Sequence, residues 1–242
     1  MLNSSMWAQD NTSQQRKEGF FNQLEYRMKA GFNIGGTSPI PLPAEIRSIK
    51  SWSPKVAAAV EVSVTKWFSN AWGMETGIRL ENKCMETDAR VKNYNMAMVA
   101  NDGGQMSGSW TGYVKTNINN SYVSLPILVV YQLKPKWILK AGFELSYLTV
   151  GEFNGTAYNG YLRNENPIGE KVEVSEALYD FSDHLRKINS GLLIGCEWRI
   201  KLHLSINTHL TWGLNNVFES DFETIKFKMY PIYINLGFGY VF

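Results

Sequence analysis

Residues 226–242 read Lys-Phe-Lys-Met-Tyr-Pro-Ile-Tyr-Ile-Asn-Leu-Gly-Phe-Gly-Tyr-Val-Phe. Ile232, Ile234, Leu236, Phe238, Tyr240 and Phe242 fall on every second position, with Asn235, Gly237 and Gly239 between them. A period of two belongs to an extended strand, whose successive side chains point to opposite faces. One face here is large and apolar; the other is small and polar. Any fold for this chain must hide one of those faces and give the other a solvent that suits it.

The same alternation recurs upstream. Strands are expected at 26–34, 54–67, 72–83, 122–132, 137–148, 186–198 and 202–212, which with the last makes eight. The connections run long, tight, long, tight, long, tight, moderate. Residues 35–43 form a stiff loop with three prolines. Residues 68–71, 133–136 and 199–201 are tight turns. Two long excursions follow strands three and five. The first, 84–121, holds an Asn101-Asp-Gly-Gly104 hairpin signal, and its flanks 89–99 and 110–117 are expected to pair. The second, 149–185, is rich in Gly, Asn and Tyr. Pro126 should bend or bulge the fourth strand.

Two all-β architectures share this pattern: a soluble carrier with the apolar face inward, and a membrane barrel with it outward. The glycines decide. Gly31, Gly73, Gly77, Gly142, Gly191, Gly195, Gly213, Gly237 and Gly239 all fall on the polar face. Small residues are wanted where space is tight, inside a narrow barrel. The polar face is therefore the lumen. Trp67, Trp72, Trp137 and Trp198 sit at the tight-turn ends, where an interfacial aromatic belt belongs. Short turns on one side and long loops on the other are the asymmetry of outer-membrane barrels. The expected fold is an all-β, eight-stranded antiparallel up-and-down transmembrane β-barrel with long extracellular loops, over 26–242. It would lie in a Gram-negative outer membrane with both termini periplasmic. The aromatic positions Phe238, Tyr240 and Phe242 would serve as the assembly signal read by the barrel-assembly machinery. Residues 1–25 are read as a leader remnant, cut near Ala8-Gln9, or a polar leader, followed by a periplasmic segment in which Phe20, Phe21 and Leu24 suit a short amphipathic helix.

Composition agrees with this. No run of 18 apolar residues exists, and the mean hydropathy of -0.23 fits barrel strands that hide half their residues from lipid. A net charge of +2 shows no nucleic-acid footprint.

Several stretches together resemble the PorT-type family of outer-membrane β-barrel proteins. They are Lys29-Ala-Gly-Phe-Asn33, Tyr122-Val-Ser-Leu-Pro-Ile-Leu128, Gly142 with Ser146-Tyr147-Leu148, Trp212-Gly-Leu-Asn215 and Leu236-Gly-Phe-Gly-Tyr-Val-Phe242. The resemblance implies an eight-stranded outer-membrane barrel. It also implies an acidic residue where Ser124 stands, so one lumen charge is absent here. The family's namesake serves a secretion system, a role that does not transfer on fold alone.

Chemistry is sparse. His203 and His209 share the lumen face but lie ~20 Å apart along a strand, too far to chelate one ion. His184, beside Asp183 and Asp180, reads as a solvated loop. Cys84 and Cys196 fall at opposite ends and should be free thiols. No cofactor, metal site or catalytic set is expected. The lumen face carries Arg27, Lys29, Glu61, Glu75, Arg79, Lys140, Glu144 and Glu197. Counted from the tight turns, Lys29, Glu61, Glu75 and Lys140 share a low layer, and Arg79 and Glu144 a higher one. Unpaired buried ions are costly, so Arg79 should meet Glu144, and Glu75 should meet Lys29 or Lys140. Such a lumen would be plugged. In the second excursion Phe153, Tyr158 and Tyr161 are candidates for recognising a protein or a glycan, or else pack over the barrel mouth. The leading reading is a non-enzymatic structural, surface-recognition or accessory protein embedded in outer-membrane lipid. A narrow pore and a lipid-modifying enzyme are the alternatives.

Overall fold

The computed structural model describes residues 24–100, 103–164 and 169–242. Residues 1–23 of the N-terminal segment and the 101–102 part of the hairpin turn therefore lie outside the described residues, while Leu24, expected in a short helix, opens the first strand. Eleven strands form one antiparallel sheet: β1 (Leu24–Pro39), β2 (Ile46–Ser53), β3 (Ala57–Trp67), β4 (Trp72–Ala100), β5 (Gln105–Lys134), β6 (Trp137–Val150), β7 (Phe153–Asn164), β8 (Lys171–Asp180), β9 (Ile188–Arg199), β10 (Leu204–Gly213) and β11 (Met229–Val241).

Among the described residues the strands thus number eleven, not eight. Eight strands pair in the cyclic order β4-β3-β1-β11-β10-β9-β6-β5, and β5 returns to β4. The other three lie in the connections expected to be loops. β2 is the upstream half of a strand running down beside β4; it ends at Ser53, and β3 resumes at Ala57. Pro54 lies in that break, where a residue without an N–H cannot serve a ladder. β4 and β5 do not stop at the apolar band. They run on as 29- and 30-residue strands. β7 pairs with β5, β8 with β7, and the tip of β8 returns to β4 at Val99↔Leu178 and Ala100↔Ala177. Those four form a second, smaller closed circuit, the lobe.

The seam of the large ring joins β1 to β11 from Arg27↔Val241 to Pro39↔Met229. Gly31 faces Gly237 across it. A Cβ on either would stand 2.4 or 2.5 Å from the opposite strand's carbonyl oxygen, so only glycine permits this approach.

The outward face of the ring is apolar and exposed, with Met28, Val62, Ile78, Phe143, Ile194 and Phe238 among it. At the short-turn end a girdle of rings closes this band. Trp137 stacks on Trp198 with centroids 5.9 Å apart, and Trp72 meets Tyr131 at 4.6 Å. No helix among the described residues is long and apolar enough to cross a membrane; the strands carry the band instead.

Candidate functional site: the charged lumen

All eight charged residues read from the alternation point into the ring, and seven are buried outright; Lys29 keeps 12% of its side chain exposed. Their positions follow from strand parity. On β1, β3, β4 and β9 the odd-numbered residues face inward, and on β6 the even-numbered ones do.

In the low layer Glu75 is the hub. It takes Lys29 Nζ at 2.6 Å, Lys140 Nζ at 2.9 Å and the Arg27 guanidinium. Lys29 also holds Glu61 at 2.6 Å, and Lys140 holds Glu197 at 2.7 Å. Glu75 thus meets both lysines expected as alternatives. One layer up, Arg79 places Nη2 2.5 Å from Glu61 and Nη1 2.6 Å from Glu144. The Arg79–Glu144 contact crosses from β4 to β6, as the layer count required.

Four more charges complete the set, and they were not among the eight. Lys83 reaches Glu81 at 2.9 Å and Glu144 at 3.2 Å. Arg199 pairs with Glu25 at 2.6 Å, and Glu25 also contacts Arg27. The signal for Glu81 and Lys83 was the parity that placed Glu75 and Arg79, continued along β4. Glu25 and Arg199 lay one residue beyond the expected strand limits. Six cations now face six carboxylates: Arg27, Lys29, Arg79, Lys83, Lys140 and Arg199 against Glu25, Glu61, Glu75, Glu81, Glu144 and Glu197.

Neutral side chains tie the layers together. Asn235 on β11 donates to Asn33 Oδ1 at 2.8 Å, and Asn33 donates to Glu81 at 2.9 Å. Ser124 donates to Glu81 at 3.0 Å and shares a 2.8 Å bond with Ser146. Where the resemblance implies an acid, Ser124 is thus a bridge between β4 and β6. Asn207 on β10 lies against Glu197, and with its side-chain amide rotated by 180° its nitrogen donates to Glu197 at 3.2 Å. Every strand of the ring contributes to the network. The void left beside Lys29, Arg79 and His209 is about 20 Å³, room for about one water.

Part of the lumen is apolar, which the polar-face reading missed. Leu128, Val130, Ile138 and Leu193 are buried on the inner wall of β5, β6 and β9. Gly142 sits opposite both Leu128 and Leu193. A Cβ there would stand 2.1 Å from the Ile127 carbonyl oxygen, so the β5 backbone comes right up against it.

Above Lys83 the filling changes to hydrocarbon. Met85, Tyr122, Leu148, Leu185 and Met229 lie in a buried cluster that continues into the lobe through Phe153, Phe181 and Phe218. Phe153 is 3% exposed, with Phe218 at 4.8 Å between centroids. It is a core residue and shows no ring to a partner, because its strand turns it toward the lobe interior. Tyr158 and Tyr161 are half-buried on the outside. Tyr158 stacks on Tyr113 at 5.3 Å and donates to Asp88 at 2.8 Å. Lys50 donates to the Tyr158 hydroxyl at 3.2 Å, and that bond, with the Asp88 contact, raises the Lys50 ammonium pKa. Lys171 lies 4.4 Å from the Tyr161 ring centre.

The histidines are spread out. His209 is on the lumen wall. His203 is outside it, exposed at the short-turn rim, stacked on Tyr240, its Nδ1 2.7 Å from Val241 O. It precedes the first residue of β10, so strand parity does not govern it. His184 stacks on Phe222 at 4.6 Å, and Asp180 accepts from the Ser182 amide at 2.9 Å, so both serve the turn. Cys84 and Cys196 are free thiols.

A sheet closed on itself, greasy outside and ionic inside, is the construction of a barrel that sits in lipid. The chain belongs to the outer membrane protein beta-barrel domain family, which it matches over residues 7–219. It is a transmembrane protein of the outer membrane. No curated protein matches its sequence. Among solved structures it is similar to Ail, the attachment invasion locus protein of Yersinia pestis, at 10% identity and a TM-score of 0.40, covering 91% of this chain and 99% of that one. OprG of Pseudomonas aeruginosa has 14% identity and a TM-score of 0.40, covering 91% and 96%. The outer membrane protease OmpT of Escherichia coli has 10% identity and a TM-score of 0.33, covering 91% and 94%.

Proposed function

We propose that the protein is a non-enzymatic, non-conducting outer-membrane barrel, a plugged anchor that holds the lobe at the cell surface for a structural, recognition or accessory role. The observation that carries this is the lumen: six cations and six carboxylates pair with one another, and the void beside Lys29, Arg79 and His209 is only about 20 Å³. Ions held this closely against one another across the ring argue against a continuous path for a solute.

Leu24 and Phe242 lie at the short-turn end, and short turns face the periplasm in Gram-negative barrels. The lobe then faces outward. The outer, half-buried cluster of Tyr158 and Tyr113 under the exposed Lys50, with Tyr161 and Lys171 beside it, is the surface we assign to a protein or glycan partner. Outer-membrane lipid covers the band, and the barrel-assembly machinery reads the strand bearing Phe238, Tyr240 and Phe242. Within the family we place the chain with the PorT-type members on the motifs around Asn33, Ser124 and Trp212; no secretion role follows from that.

Planar-bilayer recording of the pure protein tests the plug. The expected trace is flat; a steady, long-lived conductance would make the protein a pore. Epitope tags at Asn70 and Gly103, probed on whole cells, test orientation. Antibody should reach only Gly103, and staining at Asn70 alone would invert the topology.

A further inference from the structure

The large ring is not closed at every height. β1 pairs with β11 as far as Pro39↔Met229, but with β3 only as far as Asn33↔Ala57. β2 pairs with β4 between Glu86 and Val91, and among the described residues its other edge has no strand partner. Two bare edges, residues 34–39 of β1 and all of β2, therefore flank a gap in the wall. It opens just above the apolar band, where the break at Pro54 separates β2 from β3.

Behind the gap lies a cavity of about 320 Å³. Its walls include Trp52, Met85, Tyr94, Phe153, Phe227 and Met229, and among the described residues no charged side chain lines it. Two of its polar groups are already engaged: the Thr37 amide donates to Met85 Sδ at 3.2 Å, and the Thr116 hydroxyl shares a 2.6 Å bond with Tyr179. An ion entering here would be desolvated without a counter-charge. An apolar guest would not. Apolar cavities of ~150 Å³ take up benzene, so this one has room for about two rings. Leu42, Ile49 and Trp52, each about half exposed, form a greasy lip around the entrance.

We infer that this cavity is a binding site for a small, neutral, one- or two-ring aromatic molecule, entering sideways between β1 and β2 at the edge of the membrane. The site lies above the charge network, so it stands whether or not the lumen conducts.

The test uses the full chain in lipid nanodiscs and a neutral naphthalene bearing a diazirine. After photolysis, adducts are mapped by mass spectrometry. Adducts on the peptides holding Trp52 and Met85 should saturate with probe and fall at least tenfold under excess naphthalene. Naphthalene sulfonate should compete at least tenfold less well. Adducts at Phe143, on the lipid face, should rise linearly and serve as the internal control. Ala89 lines the cavity, and Ala89→Phe should remove the saturable adducts while leaving those at Phe143. Non-saturable labelling at Trp52 and Met85, or labelling unmoved by naphthalene, overturns the site. Equal competition by the sulfonate overturns its preference for neutral guests. If Ala89→Phe fails to assemble, the competition on the native chain decides alone.

Discussion

The lumen and the lobe are both closed circuits of strands, and they share β4 and β5, yet one is filled with ions and the other with hydrocarbon. β4 shows the change within one strand. From Glu75 through Arg79 and Glu81 to Lys83 its inward residues are charged, while Met74, Ile78 and Leu80 face out. Two residues later Met85 points in, followed by Val91, and Glu86, Asp88 and Arg90 take the outer face. The backbone is continuous through the switch. What changes is the solvent outside. Lipid takes the apolar residues of the lower half and leaves the polar ones to satisfy each other within. Water takes the polar residues of the upper half, and the ordinary order of a soluble protein returns. The interior of a strand ring is set by what surrounds it, not by the ring.

If that contrast is right, damage to the two fillings should read differently. The largest loss is expected in the lumen. Arg79→Ala leaves Glu61 and Glu144 each short of a partner and should cost about 3–5 kcal/mol, measured by reversible urea unfolding into vesicles. Replacing Arg79, Glu61 and Glu144 together with Met, Gln and Leu should recover most of it. A triple variant as weak as the single one would mean that the charges do more than neutralise one another. In the lobe, Phe153→Ala should cost about 3 kcal/mol by opening a cavity. The ring should stay intact: protease should cut the lobe while the heat-modifiable gel shift of the barrel persists. Loss of that shift would show that the two regions fold as one. Ser124→Ala takes a donor from Glu81 and should cost about 1 kcal/mol in the same urea assay. The exposed pair Lys171–Glu173 is at the far end of the scale. Lys171→Ala should change stability by roughly 0–1 kcal/mol, with any effect vanishing in 1 M salt.

Much of the ring was legible because lipid enforces a strict alternation. Arg79 and Glu144, on strands two apart in the ring, could be matched by counting from the tight turns. The lobe was not legible in that way. Asn93 takes a left-handed conformation (φ 54°) where the β4 register shifts between Val91 and Tyr94. Beyond it the inward residues are Met96 and Met98, of opposite parity to Val91. Asn159 (φ 47°) sits in a similar interruption of β7. A period-two reading loses phase at such points, and the Gly- and Asn-rich β7 reads as a loop although its first residue, Phe153, is core. β2 was hidden for another reason. Its Ser- and Lys-bearing sequence has one exposed edge and faces, and only its place beside β4 makes it a strand.

The glycine pair at the seam has a consequence for how the chain finds its register. Gly31 meets Gly237 only when β1 and β11 are aligned as they are here. Slide β1 by one residue and a side chain strikes the facing carbonyl. The same slip also turns Arg27 and Lys29 out toward hydrocarbon, at up to about 2–4 kcal/mol apiece and less toward the interface. Glu75, Glu61 and Glu197 would at the same time lose the cations that β1 supplies. Misalignment is thus penalised three times over, by steric contact, by lipid and by stranded carboxylates. The ring carries its own proofreading: closure and charge neutrality are reached in the same alignment.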